Sequence, residues 1–72
     1  MSGCCLRLKE IQDTLSPKEQ LVATFILDYP SEVVGMSIEE LAASCNTSTS
    51  SVVRLCKSMG YSGYKELCRM LS

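Results

Sequence analysis

Between Ser37 and Gly60 the chain carries two helix-start signals and two helix-stop signals, and this punctuation leaves room only for short helices joined by tight turns. Ser37-Ile38-Glu39-Glu40 opens the segment with a hydroxyl at the N-cap and a glutamate three residues on, the pattern of a capping box. Asn46 closes the first helix, because Asn tolerates the left-handed backbone that ends many helices. Ser48 then starts a second helix of about Thr49 to Ser58, stopped by Gly60. Ile38, Leu41, Ala42 and Cys45 make one buried stripe by i, i+3, i+4, i+7 spacing; Val52, Leu55, Cys56 and Met59 make the other.

The flanks extend the same logic. Cys4, Leu8, Ile11 and Leu15 form the apolar stripe of a first helix ending near Leu15. Ser16-Pro17-Lys18-Glu19 starts a second, with proline at the first helical position, and Pro30 stops it near Asp28. Leu21, Val22, Phe25 and Ile26 are its expected buried face, and Pro30 through Val34 has room for one short helical turn. Ser62 is placed to cap a final helix whose stripe is Tyr64, Leu67, Cys68 and Leu71. No stretch alternates with period two. The predicted fold is all-α: a five-helix bundle in one domain over residues 1–72, with a homeodomain-like helix-turn-helix at about 38–57.

Charge separates the chain into two halves. Through Ser44 three basic residues face seven acidic ones; from Cys45 onward Arg54, Lys57, Lys65 and Arg69 face Glu66 alone, giving +3 there within an overall −1. A chain of 72 residues buries only a thin core, so partner subunits would help to hold it. No apolar run approaches the roughly 20 residues of a membrane span, and no secretory h-region opens the chain, so a cytoplasmic, nucleoid-associated protein is expected. Five cysteines at irregular spacings with no histidine indicate neither a disulfide framework nor a metal site. With no Ser/His or Cys/His pairing and no phosphate-cradling glycine loop, no catalytic residue and no cofactor are assigned.

The helix from Thr49 to Ser58 carries the functional signal. At about 100° per residue, Ser50, Arg54 and Lys57 stand opposite its apolar side, so a hydroxyl, a guanidinium and an ammonium project along one strip. Arginine bonds a guanine edge bidentately in the major groove, and small hydroxyl residues allow close approach to base edges. Thr49, Ser50, Ser51 and Arg54 are the expected base-proximal residues. Ser37, Ser48, Lys57 and Lys65 are the expected phosphate contacts, the two serines because helix starts present free N–H groups to anions. Thr47 departs from the usual apolar turn residue, its methyl partly filling the same pocket.

These segments resemble the amino-terminal domain of RpiR-type transcription regulators over about Leu15 to Leu71. Leu15-Ser16-Pro17-Lys18-Glu19, Ser37 through Ala42, Ser48 with Ser51 through Lys57, and Gly60-Tyr61-Ser62-Gly63-Tyr64-Lys65-Glu66-Leu67 carry the resemblance. The last block, a glycine and two tyrosines around Ser-Gly, is the most specific. The resemblance implies a domain that binds double-stranded operator DNA as a homodimer or higher homo-oligomer and regulates sugar or amino-sugar genes. It also implies a further sugar isomerase-type domain that senses a phosphosugar effector. The chain accordingly reads as excised from a longer regulator.

Two other classes fit parts of the sequence. A helical protein-interaction module would dock a partner on spare apolar residues of the second helix, notably Leu27 and Ala23. A thiol sensor would respond to oxidant in a way that replacing every cysteine abolishes; the Cys4-Cys5 pair is expected to be more exposed than Cys45, Cys56 and Cys68 on their apolar stripes, its oxidation being an artefact of handling in vitro.

Overall fold

The computed structural model describes residues 3–72. Its described residues form α1 (Gly3–Ile11), a 3-10 turn (Gln12–Thr14), α2 (Pro17–Asp28), α3 (Pro30–Val34), α4 (Ile38–Ser44), α5 (Thr49–Ser58) and α6 (Tyr64–Leu71). The fold is all-helical, as the sequence predicts. The segment after Pro30 closes into the helix α3, which makes six helices where five were expected. Pro30 sits at its first turn, where a missing N–H costs nothing.

Each start obeys local chemistry. At Ser37 the capping box is complete: the Ser37 N–H donates to Glu40 Oε1 at 2.8 Å, and the Glu40 N–H donates to Ser37 Oγ at 3.1 Å. At Ser16 the box is altered. The hydroxyl accepts from the Glu19 N–H at 3.4 Å but donates its own proton to Glu19 Oε1 at 2.9 Å. Glu19 Oε2 also accepts from Ser58 Oγ at 3.4 Å, so this carboxylate ties the start of α2 to the end of α5. The expected cap at Ser62 is displaced by one residue to Gly63; the Ser62 N–H instead donates to Glu66 Oε1 at 2.7 Å.

The ends of α4 and α5 share one geometry. After α4 the Asn46 N–H bonds the Ala43 carbonyl and the Thr47 N–H the Ala42 carbonyl; after α5 Gly60 bonds Lys57 and Tyr61 bonds Cys56. Both are Schellman motifs, which require a left-handed residue past the cap. Asn46 at φ 56° and Gly60 at φ 86° supply it.

All six helices contribute to one core. Leu8, Val22, Ile26, Val33, Leu41, Val52, Leu55, Cys56, Met59 and Leu67 are fully buried. α2 and α4 pack on α5, α3 packs on α6, and α1 lies against α2 and α6. A domain of this length holds a net stability of roughly 4–11 kcal/mol. Truncating one fully buried leucine to alanine costs about 2–5 kcal/mol, so a single core cavity removes much of that margin.

Two expectations are corrected by this packing. Leu21 is 50% exposed, whereas Ala23 is fully buried, so the inner face of α2 is Val22, Ala23 and Ile26 with Phe25 at its edge. Cys4 and Cys5, expected to be more exposed than the other cysteines, are 3% and 6% exposed because α1 lays this pair against the bundle, Cys4 along the apolar stripe predicted for this helix.

Candidate nucleic-acid interface

α5 is positioned from both ends. Ser48 caps its start, accepting from the Ser51 N–H at 3.4 Å, and the Gly60 turn and the Glu19–Ser58 contact fix its end. Between them Val52, Leu55 and Cys56 are fully buried, which anchors one side of the helix and determines what the other side shows. Thr49, Ser50, Arg54 and Lys57 are exposed there. The Thr49 and Ser50 side chains occupy the first turn, Arg54 follows one turn later, and Lys57 lies near the end.

Ser51 departs from its expected place. It is 7% exposed, and its Oγ lies 3.3 Å from Ser48 Oγ, so its hydroxyl serves the helix cap and is not on the exposed strip. Position three of a helix faces back toward its cap, which explains the difference. The rest of the expected set is exposed: Ser37 and Ser48 at the starts of α4 and α5, and Lys65 in the first turn of α6. At Ser37 the backbone N–H is already held by Glu40, so its hydroxyl proton is the group left for a phosphate.

One cation near α5 has no signal in the local sequence. Arg7 of α1 places Nη2 3.4 Å from where a Cβ on Gly60 would stand, beside the end of α5. A positive charge there complements the helix dipole. Residues 7 and 60 are joined only by the packing of α1, so no motif spacing could reveal the pair.

The turn between α4 and α5 contains one imperfect group. Thr47 Oγ1 is buried without a hydrogen-bond partner, so the position that an apolar side chain would fill carries a desolvated hydroxyl.

Four of the five cysteines, Cys4, Cys5, Cys45 and Cys56, are core residues, and Cys68 is half-buried. Cys56 is fully buried and burial pushes its thiol up from 9.0 to about 12; burial also raises the Cys4 and Cys45 thiols, in Cys4 against an opposing hydrogen bond from Tyr61. Thiols held protonated are poor nucleophiles, which removes the basis for a thiol sensor at these three positions. No group of metal-ligating side chains occurs among the described residues. No helix among them is long and apolar enough to cross a membrane. Leu27, one of the two residues proposed for a docking module, lines a cleft of about 570 Å³ with Cys5, Thr24 and Leu71. Ala23, the other, is buried and belongs to no outer face.

Comparison with known proteins agrees with this fold. An uncharacterised HTH-type transcriptional regulator of Caldanaerobacter subterraneus is 37% identical over 60 residues, 83% of this chain and 21% of the relative. A regulator encoded in the aarA 3′ region of Providencia stuartii is 35% identical over 66 residues, 92% of this chain and 23% of the relative. The chain thus spans less than a quarter of the length of these relatives. The crystal structure of the amino-terminal domain of the transcriptional regulator ybbH from Bacillus subtilis superposes with a TM-score of 0.93 at 30% identity, covering 99% of this chain and 87% of that one. The helix-turn-helix domain of the rpiR family matches residues 2–72, and the chain belongs to that family, one of transcription-regulator domains and not of enzymes.

Proposed function

We propose that the chain binds double-stranded operator DNA with α5 in the major groove, where Thr49, Ser50 and Arg54 approach base edges. Ser37, Ser48, Lys57 and Lys65 hold phosphates on either side. The observation that carries this reading is the strip on α5: the Ser50 hydroxyl, the Arg54 guanidinium and the Lys57 ammonium exposed along one face, with Thr49 exposed in the first turn, on a helix whose opposite side is locked in the core. Ser51 supports the strip by holding the cap and does not read bases.

With so few cations one domain binds weakly, and two domains on two half-sites supply the affinity of a regulator. We assign the chain to the control of sugar or amino-sugar genes, with a phosphosugar effector sensed by a further domain of the whole regulator; membership of the rpiR family supports this assignment. The test is fluorescence anisotropy with labelled genomic duplexes at two salt concentrations, beside an Arg54→Ala/Lys57→Ala variant. Binding that weakens steeply with salt and is lost in the variant is the expected result. Binding retained by a folded variant overturns the assignment of α5.

A further inference from the structure

Lys18, Leu21, Phe25 and Asp28 follow one another along α2 at spacings of three, four and three, the rhythm of a helix-packing seam. At about 100° per residue they fall within about 80° of arc, turned away from the buried Val22, Ala23 and Ile26. This outer face is apolar in its middle and charged at its ends. Leu21 is 50% exposed and Tyr29, at the end of α2, 48%, while the Phe25 ring packs against Tyr29 with centroids 5.1 Å apart and planes tilted by 48°. A cleft of about 260 Å³ runs along this face between α2 and the end of α4, lined by Leu21, Thr24, Phe25, Tyr29, Ser44 and Cys45.

We infer that this face of α2 is the contact between two copies of the chain, packed antiparallel about a two-fold axis at the level of Ala23. The inference builds on the reading above that two domains engage the operator together. In an antiparallel pair of helices, residues whose numbers have a constant sum lie opposite one another. Lys18 and Asp28 share the same sum as Leu21 and Phe25. One axis therefore sets Lys18 against Asp28 of the second copy at each end, and Leu21 against Phe25 of the second copy twice in the middle. Self-complementarity of this kind is what a two-fold contact requires.

The charges also disfavour the alternative orientation. A parallel pair would bring lysine to lysine and aspartate to aspartate, and like charges in contact repel. Thr24, small and on the outer face, leaves room for close approach of the helices. The cleft beside α2 receives the opposing Leu21 and Phe25 side chains, which gives a half-exposed leucine and an aromatic pair a place to be buried.

The test is sedimentation equilibrium of the 72-residue chain without DNA, with circular dichroism to verify folding of each variant. The wild-type chain is expected to dimerise reversibly. Lys18→Asp and Asp28→Lys each create two like-charge pairs and weaken the dimer on the order of tenfold. The double exchange Lys18→Asp/Asp28→Lys restores opposite charges at both ends and returns association to near the wild-type value. Leu21→Asp, at an exposed position that the fold does not need, abolishes it. A wild-type chain that stays monomeric overturns the inference, as do reversals without effect and a double exchange that remains as weak as the single changes. Arg54→Ala serves as the control for the DNA reading: it leaves the dimer intact, so loss of base discrimination and loss of the α2 contact are separable failures.

Discussion

The Tyr64 hydroxyl lies 2.9 Å from the Met36 carbonyl and 3.1 Å from that of Val33, so the single phenol proton at the start of α6 is shared between two carbonyls around the end of α3, of which that of Val33 also accepts from the Met36 N–H. Burial pushes the Tyr64 phenol well above its ordinary value, which keeps the proton needed for this bond in place. Tyr64→Phe is expected to lower stability by about 1 kcal/mol, or about 4–8 °C in Tm for a domain of this size. Thermal unfolding by circular dichroism checks it, and an unchanged Tm would mean that water replaces the phenol without loss.

Thr47→Val is expected to stabilise the chain. The change keeps the β-branched shape in the turn and removes the hydroxyl that is buried without a partner, a gain of about 1 kcal/mol. In urea the midpoint should rise while the slope stays constant.

The two left-handed positions should be sensitive to what replaces them. Asn46→Gly retains the backbone conformation and is expected to be close to neutral, whereas Asn46→Val puts a β-branched side chain, and Gly60→Ala a new Cβ, into a left-handed site at about 1–2 kcal/mol each. Denaturant titration of the three variants separates the effects. Equal stability of Asn46→Gly and Asn46→Val would remove the strain argument.

Arg54 and Lys57 are expected to fail differently in DNA binding. Arg54→Ala should cost about 1–3 kcal/mol on the preferred operator and flatten the difference between sequences. Lys57→Ala should weaken binding to all duplexes alike and reduce the salt slope by about 1. Competition anisotropy over a salt series distinguishes a base contact from a phosphate contact in each case.

Alkaline pH should destabilise the domain in a window set by the buried Cys56 and the half-buried Tyr61. Cys56 titrates near 9.0 when unfolded and at about 12 when folded, and Tyr61 moves from 10.0 to about 12, mainly through burial. Both are held neutral by the fold, so their contribution is complete below pH 9 and is lost as pH rises toward 12. Each such proton steepens the fall by at most about 1.4 kcal/mol per pH unit. Chemical denaturation at a series of pH values, compared with Cys56→Ala, should show a shallower slope in the variant.

Helix boundaries were legible where a side chain acts on its own backbone. Ser16, Pro17, Ser37, Asn46, Ser48 and Gly60 do so within a few residues, and each marks the boundary that the sequence predicts. The orientation of α2 was less legible. A helical wheel fixes the width of an apolar arc but not its centre, and the arc is turned by about 80° from the expected one. The side carrying Ala23 and Leu27 is the one that α1 approaches, with Cys5 lining the same cleft as Leu27. The burial of Cys4 and Cys5, the place of Arg7 beside Gly60 and the withdrawal of Ser51 into its cap likewise depend on neighbours in space or on one rotation of a helix turn. On α5 itself the strip was legible because its apolar side leaves only one face to solvent.

Glu66 is the only acidic residue after Cys45, and its carboxylate is drawn onto the Ser62 N–H at 2.7 Å. Its negative charge is thereby applied to the start of α6, where it offsets the positive end of a helix dipole. The charge is divided along the sequence, acidic before Cys45 and basic after it, but the packing brings the halves together: Arg7 of α1 lies beside Gly60, and Glu19 of α2 accepts from Ser58 at the end of α5. If α5 is the face that meets DNA, the local cluster of Arg54, Lys57 and the neighbouring Arg7, rather than the net charge of −1, sets how a polyanion is received there.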